Sequence, residues 1–422
     1  MHVRPPLSPE LNAGWSGDVE LDPLTAFHHL EAAYEDVVWL EDAVEDHHVI
    51  AVGGQRQTAS SFDELLFDER PSFGWIDYEL GLRELGLTAE GGESRWLQPE
   101  RWCVFQDGRA QLQSTGEAWE IPPRGQSASR FASETPGPAV TLDDDDAYAA
   151  RIGDCLDWIA DGDSYLACLT TAYTVEGVDP VATYLALRSL SPSHRGGFMR
   201  LGGKSIASIS PERFLELRDG RVRTRPIKGT RPRGASSEQD AAFAASLVSS
   251  DKERAENVMI VDLCRNDLHL VCEPGTVSVP ALLQVETYSA VHQLVSTVEG
   301  RIRSGLSAVD VIRALFPAGS MVGTPKRRTA ELLQTLEGRP RGTYSGCFGV
   351  VSANFADLSM TIRALVEEGG VATIGVGGGI TALSDVEEEV AEVRLKADAL
   401  LRSLRGFSRD GSLGLDEPDQ FV

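Results

Sequence analysis

The stretch Arg-Val-Arg-Thr-Arg-Pro-Ile-Lys-Gly-Thr-Arg-Pro-Arg, residues 221–233, holds six cationic residues and no acidic one, in a chain of formal net charge −25. Lys228 stands at its centre, one of 5 lysines beside 34 arginines. An amine, unlike a guanidinium, can lose its proton and attack as a nucleophile. Cations at 223, 225, 231 and 233 are expected to lower the pKa of Lys228. The sequence therefore predicts a reactive lysine; the alternative is a solvated basic strand that contacts nucleic acid.

Composition limits the class of protein. A chain of 422 residues can form one large unit or two domains. Its acidic balance argues against a general binder of nucleic acid or anionic membranes, so the basic stretch fits a small anion in a pocket. Six cysteines without a CxxC pair suit a reduced compartment. With no apolar run of membrane-spanning length, the sequence predicts a cytoplasmic protein.

Hydrophobic patterning predicts more strands than helices. A helix is predicted from the spacing of four apolar residues, Tyr148, Ile152, Leu156 and Ile159. It is followed by a strand pattern over 164–175 and a helix pattern over 180–190. A turn at Asp219-Gly220 joins two of the next strands and would place Lys228 just past a strand end. Strands in hairpins predict an α+β fold with antiparallel sheets and helices outside. The further predicted strands are 197–201, 205–209, 214–218 and 221–224.

Two predicted helices each carry carboxylates one turn apart. Glu253 and Glu256 lie in the helix predicted over 240–268, and Glu389 and Glu392 in that over 385–404. Four carboxylates that converge would bind a hard cation, most naturally Mg²⁺. The alternative is two solvated helix faces whose acids pair with cations of the same helices.

Three other positions are candidates for anion or proton chemistry. The glycines 377–379, between a predicted strand and a helix, could cradle an anion or form a structural tight turn. Arg363, in a strand predicted over 358–366, is either an ion-pair partner or a carboxylate clamp. Glu212 lies sixteen residues before Lys228 among apolar residues that would raise its pKa, as a general acid requires.

Taken together, these motifs resemble the chorismate-utilising enzymes over about residues 145–400. The matching motifs are Ser-Pro-Glu-Arg-Phe-Leu (210–215), Pro-Ile-Lys-Gly-Thr-Arg-Pro (226–232), Glu-Asn-Val-Met-Ile-Val-Asp-Leu-Cys-Arg-Asn-Asp-Leu (256–268), Gly-Thr-Tyr-Ser-Gly (342–346), Thr-Ile-Arg (361–363) and Gly-Gly-Gly-Ile followed by Glu-Val-Ala-Glu (377–392). The resemblance implies two stacked antiparallel β-sheets with helices outside. It further implies that 1–140 joins the sandwich and that 141–407 forms the chorismate-binding catalytic region. The Gly/Asp-rich composition of 408–422 predicts a disordered tail.

The resemblance also implies a reaction. Pro-Ile-Lys-Gly-Thr is typical of the family's aminodeoxychorismate synthases, whereas anthranilate and isochorismate synthases carry alanine at the lysine position. Lys228 would attack C2 of chorismate while Glu212 protonates the departing C4 hydroxyl, and ammonia would then add at C4. Ammonia would come from a separate glutamine amidotransferase subunit, and the product would serve 4-aminobenzoate and folate or a specialised metabolite.

By the same resemblance, each motif residue receives a role. Glu256 and Glu392 would bind Mg²⁺ directly, with Glu253 and Glu389 beside them. The substrate-binding residues would be Tyr344, Arg363, Gly377 and Gly378 for the ring carboxylate, Lys396 for the enolpyruvyl carboxylate, and Thr230 near the substrate.

Two alternatives remain open at this point. One is an anthranilate synthase component I, although Gln293 replaces the histidine associated with aromatisation in those enzymes. The other is a chorismate-binding protein without turnover, suggested by Gln293 and by Val322 and Thr324 in a glycine-rich motif that differs from the family's. The isochorismate branch uses a lysine on the strand matching 164–175, and residues 151–203 contain none.

Overall fold

The structure, a computed structural model, describes these parts of the 422-residue chain: 16–19, 22–42, 46–106, 108–116, 119–121, 136–288 and 291–404. The segment 408–422, predicted as a disordered tail, lies outside them. No helix in the described parts is both long enough and apolar enough to cross a membrane.

Nine α-helices lie in the described parts. They are α1 Pro23–Ala33, α2 Tyr78–Glu84, α3 Asp145–Ala160, α4 Pro180–Leu190, α5 Ser237–Ser249, α6 Asp251–Val271, α7 Ala308–Leu315, α8 Lys326–Glu337 and α9 Val386–Ser403. Several begin at a residue whose side chain accepts a hydrogen bond from the first turn, as Asp144 does for α3 and Asp385 for α9. The helices predicted over 180–190 and 385–404 are confirmed, the second to within one residue at each end.

The same described ranges contain twenty strands, and short 3-10 turns span Phe62–Glu64 and Gly319–Met321. The strands are β1 Ser16–Val19, β2 Val37–Asp42, β3 His47–Ala59, β4 Ser72–Ile76, β5 Ser94–Gln106, β6 Arg109–Ser114, β7 Val140–Thr141, β8 Leu166–Glu176, β9 Arg195–Leu201, β10 Lys204–Ser210, β11 Arg213–Arg218, β12 Arg221–Thr224, β13 Ile227–Pro232, β14 Ser278–Thr287, β15 Val291–Arg301, β16 Gly323–Thr324, β17 Cys347–Ser352, β18 Phe355–Met360, β19 Ala364–Glu368 and β20 Val371–Thr381.

Every strand pairing is antiparallel, and one hydrogen-bonded path folds over into two layers. The first layer runs β6–β5–β3–β2–β9–β10–β19–β20–β8. The second runs β4–β17–β18–β11–β12–β15–β14, with β13 also on β15. The long strand β5 joins them, because its residues 94–97 pair with β4 and its residues 101–106 with β6.

Apolar side chains fill the space between the layers and cover both outer faces. Leu40 on β2 and Phe348 on β17 meet at Gly197, where a Cβ would lie 3.0 and 2.7 Å from them. Helices α1, α3, α4 and α9 pack on the outside of the first layer, and α6 and α7 on the outside of the second. Each fully buried side chain of this size contributes roughly 1.5–3 kcal/mol. The predicted α+β fold of stacked antiparallel layers with helices outside is confirmed.

The prediction that Lys228 lies just past a strand end is wrong in detail. The strand β12 ends at Thr224 as predicted, but a new strand, β13, begins at Ile227 and contains Lys228. The helix predicted over 240–268 is in fact two, because the chain leaves helical geometry at Ser250, whose side chain caps α6.

Two further local predictions are corrected. The strand predicted over 358–366 is broken at Arg363, whose φ of 46° cannot continue a β ladder. Glycines 377–379 lie inside β20, in register with β8, and form neither a turn nor a loop before a helix. The sequence gives few cues here, because glycine has low strand propensity.

Candidate active site

A row of glycines on β20 forms the floor of a cleft between the layers. Gly375, Gly377 and Gly379 alternate along the strand, so they share its inner face. A Cβ on Gly375 would lie 2.1 Å from Cγ of Tyr344, and one on Gly379 would lie 3.3 Å from Nζ of Lys228. The floor therefore runs from Tyr344 to Lys228, about 13 Å along the strand, with no side chain of β20 above it.

Lys228 reaches this floor from the opposite layer because β13 contains a bulge. The register of β13 on β15 shifts between Ile227 and Thr230, and Gly229 has a φ of 88°. A Cβ on Gly229 would lie 3.0 Å from Cδ of Glu253, so a larger residue would be both strained and crowded. The bulge turns the Lys228 side chain inward, with Nζ 3.5 Å from Oε2 of Glu256.

The electrostatic setting of Lys228 differs from the prediction. Burial disfavours its charged form, but the carboxylates of Glu256 and Glu212 outweigh burial and raise the pKa of Lys228. The expectation that neighbouring arginines lower this pKa is wrong, because each is paired with a carboxylate. The pairs are Arg223 with Glu299, Arg225 with Glu286, Arg231 with Glu253 and Arg233 with Asp240.

Glu212 lies between β10 and β11 and is 8% exposed. Burial raises its pKa to about 7, against the opposing effects of Lys228 and a hydrogen bond from Ser320. Behind it lies a small cavity that Ser320, Cys264 and Asp267 also line. A carboxyl with this pKa is protonated in a large fraction at neutral pH, so it can donate a proton within the cleft.

The four predicted metal-ligating carboxylates lie near one end of the cleft, where α6 faces α9. Lys252 on α6 donates to Glu389 on α9 at 2.6 Å, which ties the helices together. The pKa of Glu256 is raised, because burial and the neighbouring acids of α9 outweigh the opposing effect of Lys228 and Lys252. Each acid pairs with a cation: Glu253 with Arg231, Glu256 with Lys228, Glu389 with Lys252 and Glu392 with Lys396.

These carboxylates fit Mg²⁺ in their chemistry. The donors are hard oxygens, as Mg²⁺ prefers, and Oε2 of Glu253 is buried without a hydrogen-bond partner. Across the described segments, no three acidic, histidine or cysteine side chains already converge as a metal site.

Arg363, which separates β18 from β19, has no hydrogen bond or ion pair from its side chain among the described residues. Its backbone oxygen accepts from the amide of Ile209, but none of the hydrogen bonds or ion pairs of those residues involves its guanidinium. The side chain is exposed, yet desolvation by the surrounding protein lowers the pKa of Arg363. A left-handed backbone and an unpaired guanidinium are typical of a ligand-binding position.

The remaining predicted residues lie on α9, β20 and β13. Lys396 donates to the backbone oxygen of Gly377 at 2.9 Å. Since the N–H and C=O of one residue in an antiparallel strand point to the same side, the Gly377 amide faces the open edge and the Gly378 amide faces β8. Thr230 is exposed on β13, in register with Gln293.

Sequence reasoning missed two residues of the cleft. Cys168 lies on β8 opposite Gly379, and Ser320 donates to Glu212. Alternation along the predicted strand 164–175 places Cys168 and Thr170 on one face, but which face meets the cleft depends on pairing with β20. Ser320 lies in the 3-10 turn Gly319–Met321, which follows a cis peptide bond, and no local pattern predicts this geometry.

Comparison with known proteins gives one family match and three relatives. Residues 23–402 match the family model described as chorismate binding enzyme. An aminodeoxychorismate synthase of Streptomyces pristinaespiralis is 42% identical over 365 residues, which are 79% of this chain and 50% of that protein. One of Streptomyces griseus is 47% identical over 292 residues, 68% of this chain and 40% of that protein. An anthranilate synthase component 1 of Methanothermobacter thermautotrophicus is 41% identical over 270 residues, 62% and 58% of the two chains.

Solved structures share the fold. Anthranilate synthase component I of Streptococcus pneumoniae superposes with a TM-score of 0.70 at 24% identity, over 93% of both chains. The menaquinone-specific isochorismate synthase of Escherichia coli gives 0.73 at 20% identity, over 94% of this chain and 96% of that one. The present chain spans about half or less of the two Streptomyces relatives.

Proposed function

The chain belongs to the chorismate-binding enzymes, and from this premise we propose that it aminates chorismate at C4 with ammonia to give 4-amino-4-deoxychorismate. The observation that carries the proposal is the placement of Lys228 on the glycine floor, in the same cleft as a Glu212 whose pKa is about 7. A nucleophile and an acid are thus available together, and the names of the Streptomyces relatives support the same reaction.

The proposed reaction balances as two displacements. The neutral amine of Lys228 adds to C2, the two ring double bonds shift, and the C4–O bond breaks as Glu212 gives its proton to the departing oxygen, releasing water. Ammonia then adds at C4, the double bonds shift back, and the C2–N bond to Lys228 breaks. Glu212, left as a carboxylate, takes the proton that the incoming nitrogen loses.

The dianionic substrate needs cations along the cleft. We assign the ring carboxylate to Arg363, Tyr344 and the Gly377 amide, because Arg363 is unpaired within the described residues and Gly377 presents its amide on the open edge. Lys396 would meet the enolpyruvyl carboxylate after it leaves Glu392, near Thr230. The amide of Gly378 faces β8 and takes no part in this assignment.

Replacing Arg363 by methionine is expected to raise KM for chorismate at least about tenfold, because a charged pair to a carboxylate is lost. Steady-state kinetics with varied chorismate measures the change. Arg265→Met is the matched control, since Arg265 is exposed and pairs with Asp262 on the same helix; equal KM values in the two variants would remove Arg363 from the site.

We propose Mg²⁺ as the cofactor, held by Glu256 and Glu392 with Glu253 and Glu389 beside them. When bound, it supplies the positive charge that compensates these carboxylates and those of the substrate. Titration calorimetry with Mg²⁺ is expected to show affinity lowered about tenfold or more in Glu256→Gln. Glu388→Gln, an exposed acid on α9, should match wild type; unchanged Mg²⁺ affinity in Glu256→Gln would contradict the assignment.

We propose that ammonia reaches this site from a glutamine amidotransferase subunit. The 422 residues contain no Gly-x-Cys-x-Gly nucleophile motif; Gly346-Cys347-Phe348-Gly349 is one residue short. The product would feed formation of 4-aminobenzoate. Incubation with chorismate, Mg²⁺ and either ammonium or glutamine tests this step, and only ammonium should support turnover by the chain alone.

The function itself is tested by identifying the product by mass spectrometry. We expect 4-amino-4-deoxychorismate with pyruvate retained. Anthranilate synthase activity is the second candidate, because relatives of that name reach 41% identity; the blue fluorescence of anthranilate would identify it. Chorismate binding with no product would leave a binding protein as the remaining candidate.

A further inference from the structure

Two buried carboxylates of the N-terminal part hold a turn that belongs to the cleft. Asp77 stands at the N-cap position of α2, yet its side chain makes no cap hydrogen bond. Instead Oδ1 accepts from the hydroxyl of Thr343 at 2.7 Å, and Oδ2 accepts from the amide of Glu93 at 3.2 Å. An acid that usually stabilises its own helix is here directed at a segment 266 residues away.

Glu79 binds the same turn two residues later. Its carboxylate accepts from the backbone amide of Arg341 at 2.7 Å and from that of Gly342 at 3.1 Å. In return, the Gly342 oxygen accepts from the amide of Tyr78 at 2.8 Å. Residues 341–343 are therefore fixed through backbone and side chain by one short segment of the N-terminal part.

Burial of the Asp77 and Glu79 carboxylates costs free energy of folding. Both are 2% exposed, and burial raises the pKa of each, with mutual repulsion adding to that of Glu79. Lys204 lies 3.4 Å from Asp77. Burying two neighbouring acids beside a single cation lowers stability unless both are hydrogen-bonded, so the contacts to 341–343 explain their presence.

The turn they hold carries Tyr344. Beyond Gly342, the chain turns through Ser345, with a φ of 66°, before entering β17. The Tyr344 ring lies on Gly375 at the end of the floor. A shift of residues 341–343 would move this ring relative to the floor, since Tyr344 follows them directly.

We propose that Asp77 and Glu79 are positioning residues of the substrate site: by anchoring residues 341–343 they set the place of Tyr344 on the glycine floor, and thereby the affinity for the ring carboxylate of chorismate. This inference rests on the proposed function for the identity of the substrate. Neither residue touches the reacting atoms.

Glu79→Gln is the first test. The glutamine side chain has the same volume as glutamate, but its NH₂ group cannot accept a hydrogen bond from the backbone N–H groups. We expect hydrogen exchange at the amides of 341–343 to rise about tenfold or more, and KM for chorismate to rise about tenfold with kcat within about threefold. Thr343→Val, which removes only the hydroxyl that Asp77 accepts from, should show a smaller change of the same kind. Glu84→Gln, at the exposed end of α2, is the matched control.

The outcomes separate this inference from the proposed function. Unchanged exchange at 341–343 in Glu79→Gln would overturn the anchoring. Raised exchange and a lower melting temperature with unchanged KM would show a purely structural role and also overturn it. If the wild-type protein forms no 4-amino-4-deoxychorismate, the proposed function fails. Hydrogen exchange at 341–343 and the calorimetric affinity for chorismate still decide whether Glu79 positions the substrate site.

Discussion

Lys228→Ala loses formation of 4-amino-4-deoxychorismate by about 10³-fold or more, the scale that loss of a covalent nucleophile reaches. No other lysine amine lies on the glycine floor at Gly379 in the described structure. The rate of product formation from chorismate and ammonium, followed by mass spectrometry, measures the loss.

The variant Lys228→Arg shows whether Lys228 acts through its positive charge or as a nucleophile. The guanidinium restores the positive charge beside Glu256 but cannot lose its proton and attack. We therefore expect the arginine variant to bind chorismate like wild type and to be as slow as the alanine variant. Recovery of activity in Lys228→Arg would show that position 228 supplies only charge.

Glu212→Gln is expected to lower kcat by about 10²–10⁴-fold, the usual contribution of a general acid. The amide preserves the shape of the side chain and the contact with Ser320 but has no proton to give. The same acid-to-amide change at Asp219, which is exposed in the β11–β12 turn, provides the control. A Glu212→Gln enzyme with wild-type kcat would exclude Glu212 as the acid.

The same carboxyl sets a pH dependence. The pKa of Glu212 is raised to about 7, so its carboxyl is protonated below pH 7. Attack also needs the neutral amine of Lys228, whose pKa is raised, so the reactive fraction of this amine increases tenfold per pH unit. With ammonia kept at a constant free concentration, the rate in wild type should therefore rise with pH up to about 7 and then level off, because the loss of protonated Glu212 offsets the gain in neutral Lys228. In Glu212→Gln the rate should continue to rise above pH 7.

Much of the fold follows from local sequence pattern. The helix at 180–190 begins with a proline and is preceded by an aspartate that caps it, and the Asp219-Gly220 turn joins β11 to β12 as predicted. The two-layer arrangement came from the resemblance, because sheet order depends on contacts distant in sequence. Strand β5 shows this well: it pairs with β3 along its length, and nothing within residues 94–106 indicates that one end also pairs with β4 and the other with β6.

The direction of the pKa shift of Lys228 could not be predicted from the sequence. Counting charges in 221–233 predicts repulsion, but strand alternation directs Arg223 toward Glu299 and the bulge directs Lys228 toward Glu256. The pKa shift therefore has the opposite sign to the one predicted. The anchoring of 341–343 by Asp77 and Glu79 was also missed, since the partners are more than 260 residues apart.

Covalent attack by Lys228 is tested by incubating the protein with chorismate and Mg²⁺ while ammonia is withheld, and then mapping the peptides by mass spectrometry. We expect the peptide with Lys228 to gain the mass of chorismate less one water, and the corresponding peptide of Lys228→Arg to gain nothing. Full turnover on addition of ammonia, with no modified Lys228 in samples quenched during turnover and an active Lys228→Ala enzyme, would contradict it.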